Sequence, residues 1–170
     1  DARLRKATQD ADAELVVGRT MATAARTIAG AKLQIPMAPG APPVEMTDRL
    51  WFESSTAEVA AAEYYVPATL TITLEMLRKH GIQLRQLTQQ ARGVEQFTAT
   101  TIPQGSARLV GTWTPVGPSV AVPVGDWVVR MNQPLARLAF TLLEPTSDSG
   151  LAMTDEALRS TTAYPILRKR

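Results

Sequence analysis

Apolar residues recur along this chain at two spacings, steps of three or four and steps of two, and the switches between them divide it into elements. Leu4, Ala7, Ala11 and Leu15 step by three or four and predict a first helix over residues 1–15. Gly18 interrupts it, Thr20 is placed to cap a second segment whose Met21, Ala24, Ala25 and Ile28 share a face, and Gly30 stands where that segment ends. The pattern therefore predicts a helical N-terminal piece over about 1–30. Residues 35–44 read IPMAPGAPPV, and their four prolines deny backbone donors and predict a loop. Leu50, Trp51 and Phe52 then open a remainder, 48–170, rich in strand signals.

Within AEYYVPATLTITLEMLRKHGIQLRQL two periods compete. Leu70, Ile72, Leu74 and Met76 alternate with polar residues as a half-buried strand does, while Leu70, Leu74 and Leu77 form a helical stripe. The flanks decide for helix: Pro67 precedes it, Lys79 and His80 put positive charge in the last turn, and Gly81 follows. The stretch then reads as strand (64–66), helix, strand (82–87), a βαβ-like unit. Further strands are predicted at 94–102, 107–114, 119–122 and 127–131, each bounded by Gly or Pro. Pro134 suits a first helical turn, Leu135, Leu138, Ala139 and Leu142 share a face, and Glu144-Pro145 ends that helix. These elements predict an α+β (mixed α/β) fold in one domain, 1–170: a small sheet of mostly antiparallel strands with one βαβ-like unit and packed helices.

Composition narrows the chemistry. At 170 residues, 45% hydrophobic and 20% charged, the chain is long enough to bury an ordinary core. It has no Cys, which excludes disulfides, thiolate nucleophiles and sulfur-ligated zinc. His80 is the single histidine, so Ser/His pairs and two-histidine metal sites are excluded within the chain, and the residue reads as a helix end. The start, DARLRK, carries no apolar stretch of a signal peptide, and the longest uncharged run is broken by Pro115, Pro118 and Pro123, so no membrane association is expected.

Net charge is +2, with basic residues gathered at Arg3, Arg5, Lys6 and at Arg168, Lys169, Arg170, which read as solvated tails; no nucleic-acid partner is expected. Glu144, Asp148, Asp155 and Glu156 lack the spacing of a calcium loop and read as a solvated turn. No glycine loop of phosphate-binding spacing is present. Tyr64, Tyr65, Trp113 and Trp127 read first as core, because aromatics favour strands. If the chain binds a ligand through them, Trp113, Trp127, Arg130 and Gln133 are the candidate surface.

Two runs carry a family resemblance. YYVPATLTITLEMLRKHGIQLRQL, followed by VPVGDWVVRMNQPLARLAFTLLEPTSDSGL, resembles the C-terminal region of large bacterial proteins of the zinc carboxypeptidase (carboxypeptidase A-like) family, in the part after the peptidase domain. The matching positions include Tyr65, Val66 and Pro67 at a strand end, Arg78, His80, Gly81 and Ile82 at a helix end, and Pro123, Gly125, Val128 and Val129. Gln133, Pro134, Leu135, Arg137, Leu138, Ala139, Leu142, Leu143, Glu144 and Pro145 complete the match, with Tyr164-Pro165 in the tail. The chain departs from the pattern at Ala152, Met153 and Thr154, where relatives carry aromatics.

The resemblance implies a non-catalytic C-terminal accessory domain with no catalytic or metal-ligating residue of its own. Zinc, held by a His-x-x-Glu pair and a later His, is expected only in the upstream peptidase domain of the same polypeptide, which is the expected partner. A periplasmic or secreted parent follows from the same resemblance. The alternative is a free-standing peptide- or glycan-binding module built on the aromatic strands.

Overall fold

A computed structural model of the chain describes residues 14–21, 32–35, 39–40, 42–47, 52–103 and 107–170. Its centre is a six-stranded sheet built from β5 (Glu63–Val66), β6 (Arg85–Gln86), β7 (Glu95–Thr101), β8 (Val110–Pro115), β9 (Trp127–Arg130) and β10 (Ala163–Lys169), in the order β6-β9-β5-β10-β7-β8. Every neighbouring pair is antiparallel. β5 and β6 both run against β9, so they are parallel to each other, and the helix α1 (Thr71–Lys79) connects them. The βαβ-like unit is thus present in split form, with β9 inserted between its strands. The α+β expectation holds.

The helical reading of 71–79 holds because burial follows the stripe. Leu74 and Leu77 are buried together, as a helix places them, whereas Ile72, which a strand would place on the face of Leu74, is 64% exposed. Gly81 closes the helix at φ +75°, a left-handed conformation that costs glycine nothing. α2 (Ala136–Leu143) begins one residue later than the predicted face implied. Leu135 is the residue before the helix and is exposed, and the buried stripe is Ala136, Ala139, Phe140 and Leu143 with Leu142. Both helices cover one face of the sheet, against Tyr64, Val66, Phe97, Val129, Tyr164 and Ile166. Each such aliphatic side chain sealed from water contributes roughly 2 kcal/mol. The opposite face carries a smaller cluster of Tyr65, Val94, Val122 and Val128. A short 3₁₀ turn (Leu151–Met153) and α3 (Glu156–Arg159) lead into β10.

Three expectations are corrected. Residues Glu14–Met21 form a strand, β1, paired antiparallel with β4 (Phe52–Val59), not the end of one helix and the start of another. The β-branched Val16, Val17 and Thr20 favour the extended form, and Gly18 marks a register shift in the ladder instead of a break between helices. The remainder of the predicted helical piece, 1–13 and 22–30, lies outside the described residues, as do Leu50 and Trp51. The segment 119–122 forms no strand and contributes only the bridge between Ala91 and Val122. The strand predicted over 82–87 is reduced to Arg85–Gln86.

The proline-rich stretch 35–44 connects β2 (Lys32–Ile35) to β3 (Val44–Thr47), whose closing pair is Ile35 with Val44. Among the described residues, no helix is long and apolar enough to cross a membrane.

Candidate functional site

The strongest concentration of polar chemistry lies inside the core. α2 stops at Leu143 because Pro145 pushes the preceding residue out of the helical region, and Glu144 accordingly has ψ 120°. That turn places the Glu144 side chain beneath the sheet with no solvent exposure. The Tyr64 hydroxyl donates to Oε2 at 2.6 Å and the Trp113 indole N–H donates to Oε1 at 2.6 Å. The Arg168 guanidinium lies 3.7 Å from Oε2.

Arg168 reaches this position because β10 alternates: Tyr164, Ile166 and Arg168 are buried on the helix-covered side of the sheet. Its Nε donates to Glu95 Oε2 at 2.7 Å, and its Nη1 reaches Glu58 Oε2 and the Val59 carbonyl at 3.4 Å each. The guanidinium also sits over the Trp113 ring, 4.3 Å from its centroid. Arg170 adds a second contact to Glu95 at 3.2 Å. Three carboxylates therefore converge on one buried guanidinium, which binds the end of β4 to β7, β10 and the end of α2.

Burial pushes the Glu144 carboxyl up to about 7, although the Arg168 charge and the two hydrogen bonds from Tyr64 and Trp113 pull it down. The Tyr64 hydroxyl is raised well above its ordinary value by burial first and then by the Glu144 charge, and Tyr164 is raised by burial and by Glu144. The donor inventory says where a proton on Glu144 sits. Trp113 can only donate, so Oε1 stays an acceptor, and a protonated Glu144 carries its hydrogen on Oε2, with the Tyr64 hydroxyl turned to accept it. Since Glu144 and Tyr64 have no solvent-accessible surface, neither group is presented to a dissolved molecule in this conformation.

The four acids read as a solvated turn separate. Glu144 is sealed, which overturns that reading for it; Asp148 and Glu156 are exposed. Asp155 caps α3, accepting from the Ala157 N–H at 3.1 Å, while its other oxygen accepts from the buried Thr73 hydroxyl at 2.7 Å. Arg168 likewise is no solvated tail. The cluster was missed because its members lie far apart in sequence, but the alternation of AYPILRK was a usable signal that Arg168 shares a face with Tyr164 and Ile166. His80 is exposed at the end of α1, its N–H bonded to the Met76 carbonyl.

The candidate surface residues do not meet in one groove. Trp113 is half-buried on β8, edge-on to Phe97 (5.5 Å) and Tyr164 (6.3 Å). Trp127 is half-buried on β9, packed against the main core under the Arg78 guanidinium at 4.7 Å. Arg130, offset from Trp127 by an odd number of positions, points to the other face and pairs with Glu63 at 3.1 Å.

Gln133 works as a substitute strand residue. Its Oε1 accepts from the Gln83 N–H at 2.7 Å, and its Nε2 donates to the Gln83 carbonyl at 3.3 Å and the Arg130 carbonyl at 2.8 Å. Arg130 and Gln133 do border a common hollow of about 70 Å³ with Gln83, Arg85, Val128 and Asn132. Compared with known protein families, curated proteins and solved structures, the chain matches none.

Proposed function

We propose that this chain is the non-catalytic C-terminal accessory domain of a zinc carboxypeptidase-like parent, packing against an upstream peptidase domain of the same polypeptide. The observation that carries the reading is the use made of the polar residues in the run that bears the resemblance. Glu144 is spent on Tyr64, Trp113 and Arg168, and Gln133 on the backbone of Gln83 and Arg130. Gly81 is spent on closing α1. A motif whose polar members are consumed by the framework is a framework motif, and that supports a supporting domain over a reacting one. On this reading zinc and the water it activates belong to the upstream domain, and the parent is periplasmic or secreted.

The test uses the purified chain and the parent's peptidase domain. The chain alone should bind no stoichiometric zinc and release no C-terminal residue from peptides, and it should co-purify with the peptidase domain when the two are expressed together. Stoichiometric zinc, or hydrolysis by the chain alone, sinks the proposal. The alternative of a peptide- or glycan-binding module draws less support, because Trp113 and Trp127 stand on separate strands away from the hollow at Arg130 and Gln133.

A further inference from the structure

The hollow on the less-covered face combines features that the framework does not use. Arg85 lies opposite Val128 in the β6–β9 ladder, and Arg130 is two residues further along β9, so the two guanidinium side chains leave the same face as diagonal neighbours. Diagonal positions stand about 7–8 Å apart at Cα, within joint reach of two arginines around one small group. Arg130 commits its Nε to Glu63 and leaves both Nη groups free of any other hydrogen bond among the described residues. Glu63 is held in place on its other oxygen by the Tyr65 hydroxyl. Arg85 is exposed, and neither it nor Asn132 has a side-chain partner among the described residues. The Gln133 amide is fully engaged with backbone, so it forms a fixed wall.

We propose that this hollow binds a monovalent oxyanion of carboxylate size, gripped by Arg85 and Arg130 and oriented by the Asn132 amide. Charge supports a monoanion: two guanidinium groups against the single carboxylate of Glu63 leave one positive charge at the site. Guanidinium forks match a carboxylate in a planar, two-point contact. Size supports a small ligand, since about 70 Å³ is well below the several hundred Å³ of a site for a drug-sized molecule. Val128 forms an apolar floor that lowers the local dielectric beneath the bound group. The site stands independently of the accessory-domain reading.

The test is a titration of the whole chain, isotope-labelled, with sodium acetate at constant ionic strength balanced by sodium chloride, followed by backbone amide shifts. Saturable shifts are expected at Gln83, Arg85, Asn132 and Gln133. Arg85→Gln and Arg130→Gln should each weaken the fitted affinity by about tenfold, as loss of a charge-assisted contact does. Arg108→Gln, beside β8 at the opposite edge of the sheet, should leave it unchanged. Asn132→Ala, on an exposed turn, gives a third reading independent of charge and should also weaken binding.

Shifts that grow linearly without saturating, or that fall equally in Arg108→Gln, would overturn the site. A parallel titration with inorganic phosphate separates the ligand classes: saturation by phosphate and not by acetate overturns the carboxylate assignment.

Discussion

Glu144 and Arg168 are both withdrawn from water, and their charged groups face each other at 3.7 Å with the Trp113 indole touching both. Such a pair is weak evidence of net stability, because desolvation offsets most of the attraction, but removing one member strands the other. Arg168→Ala leaves Glu58, Glu95 and Glu144 without the guanidinium between them. It should destabilise the fold by about 3–5 kcal/mol, read as a drop in the urea midpoint. A loss under about 1 kcal/mol would mean that Arg168 is hydrated in solution.

The raised carboxyl of Glu144 gives a pH dependence of definite sign. With the carboxyl raised from its ordinary 4.5 to about 7, the folded protein binds a proton that the unfolded chain has already released between those values. The associated stability is whole below about 4.5 and is lost as pH rises through about 7, on the order of 3 kcal/mol in full. The urea midpoint should be higher near about pH 5 than near about pH 8, and Glu144→Gln, which cannot ionise, should flatten that difference. Parallel profiles for the two proteins would remove Glu144 as the cause.

Gly111 lies in β8 beside a register shift in its pairing with β7. A Cβ there would collide with the Thr98 carbonyl and stand 2.8 Å from the Ala99 Cα, both backbone atoms of the neighbouring strand. Gly111→Ala should cost about 1–3 kcal/mol in thermal or urea unfolding, as overpacking against backbone does. Gly117→Ala is the comparison: its φ is not positive and the nearest atom to the new methyl is the Ser119 hydroxyl at 3.9 Å, so its cost should be under about 1 kcal/mol.

The pairing of the Gln133 amide with the backbone of Gln83 predicts a local effect. Gln133→Ala should lower stability by about 1 kcal/mol and speed amide exchange at Gln83 by about tenfold. Exchange at Val129, whose strand is held by β5, should change far less. Unchanged exchange at Gln83 would contradict the bond.

The parts legible in the sequence were those with local punctuation. α1 was readable through Pro67, Gly81 and the stripe of Leu70, Leu74 and Leu77, and α2 through Pro134 and Glu144-Pro145. What escaped depended on tertiary partners. Glu14–Met21 carries spacing that suits a helix but is held extended by β4. Arg168 stands among basic residues that look solvated, yet the strand around it is central and places it inside. Glu144 looked like one acid among several because nothing near it in sequence names Tyr64, Trp113 and Arg168 as its partners. Trp113 packs edge-on to Phe97 and Tyr164, in keeping with its strand propensity, but its N–H bond to Glu144 is a second role that propensity does not reveal.

The position of β10 has a consequence for how the protein is made. It lies between β5 and β7 and, among the described residues, is the only strand that joins the β6-β9-β5 half of the sheet to the β7-β8 half. Until residues 163–169 have left the ribosome, those halves have no ladder connecting them, and Glu95 and Glu144 wait without their guanidinium partner. The sheet therefore closes after synthesis has passed this strand, by long-range pairings of the kind that fold slowly. A nascent chain halted before Ala163 displays two additional open strand edges, on β5 and β7, each a template for pairing with another chain.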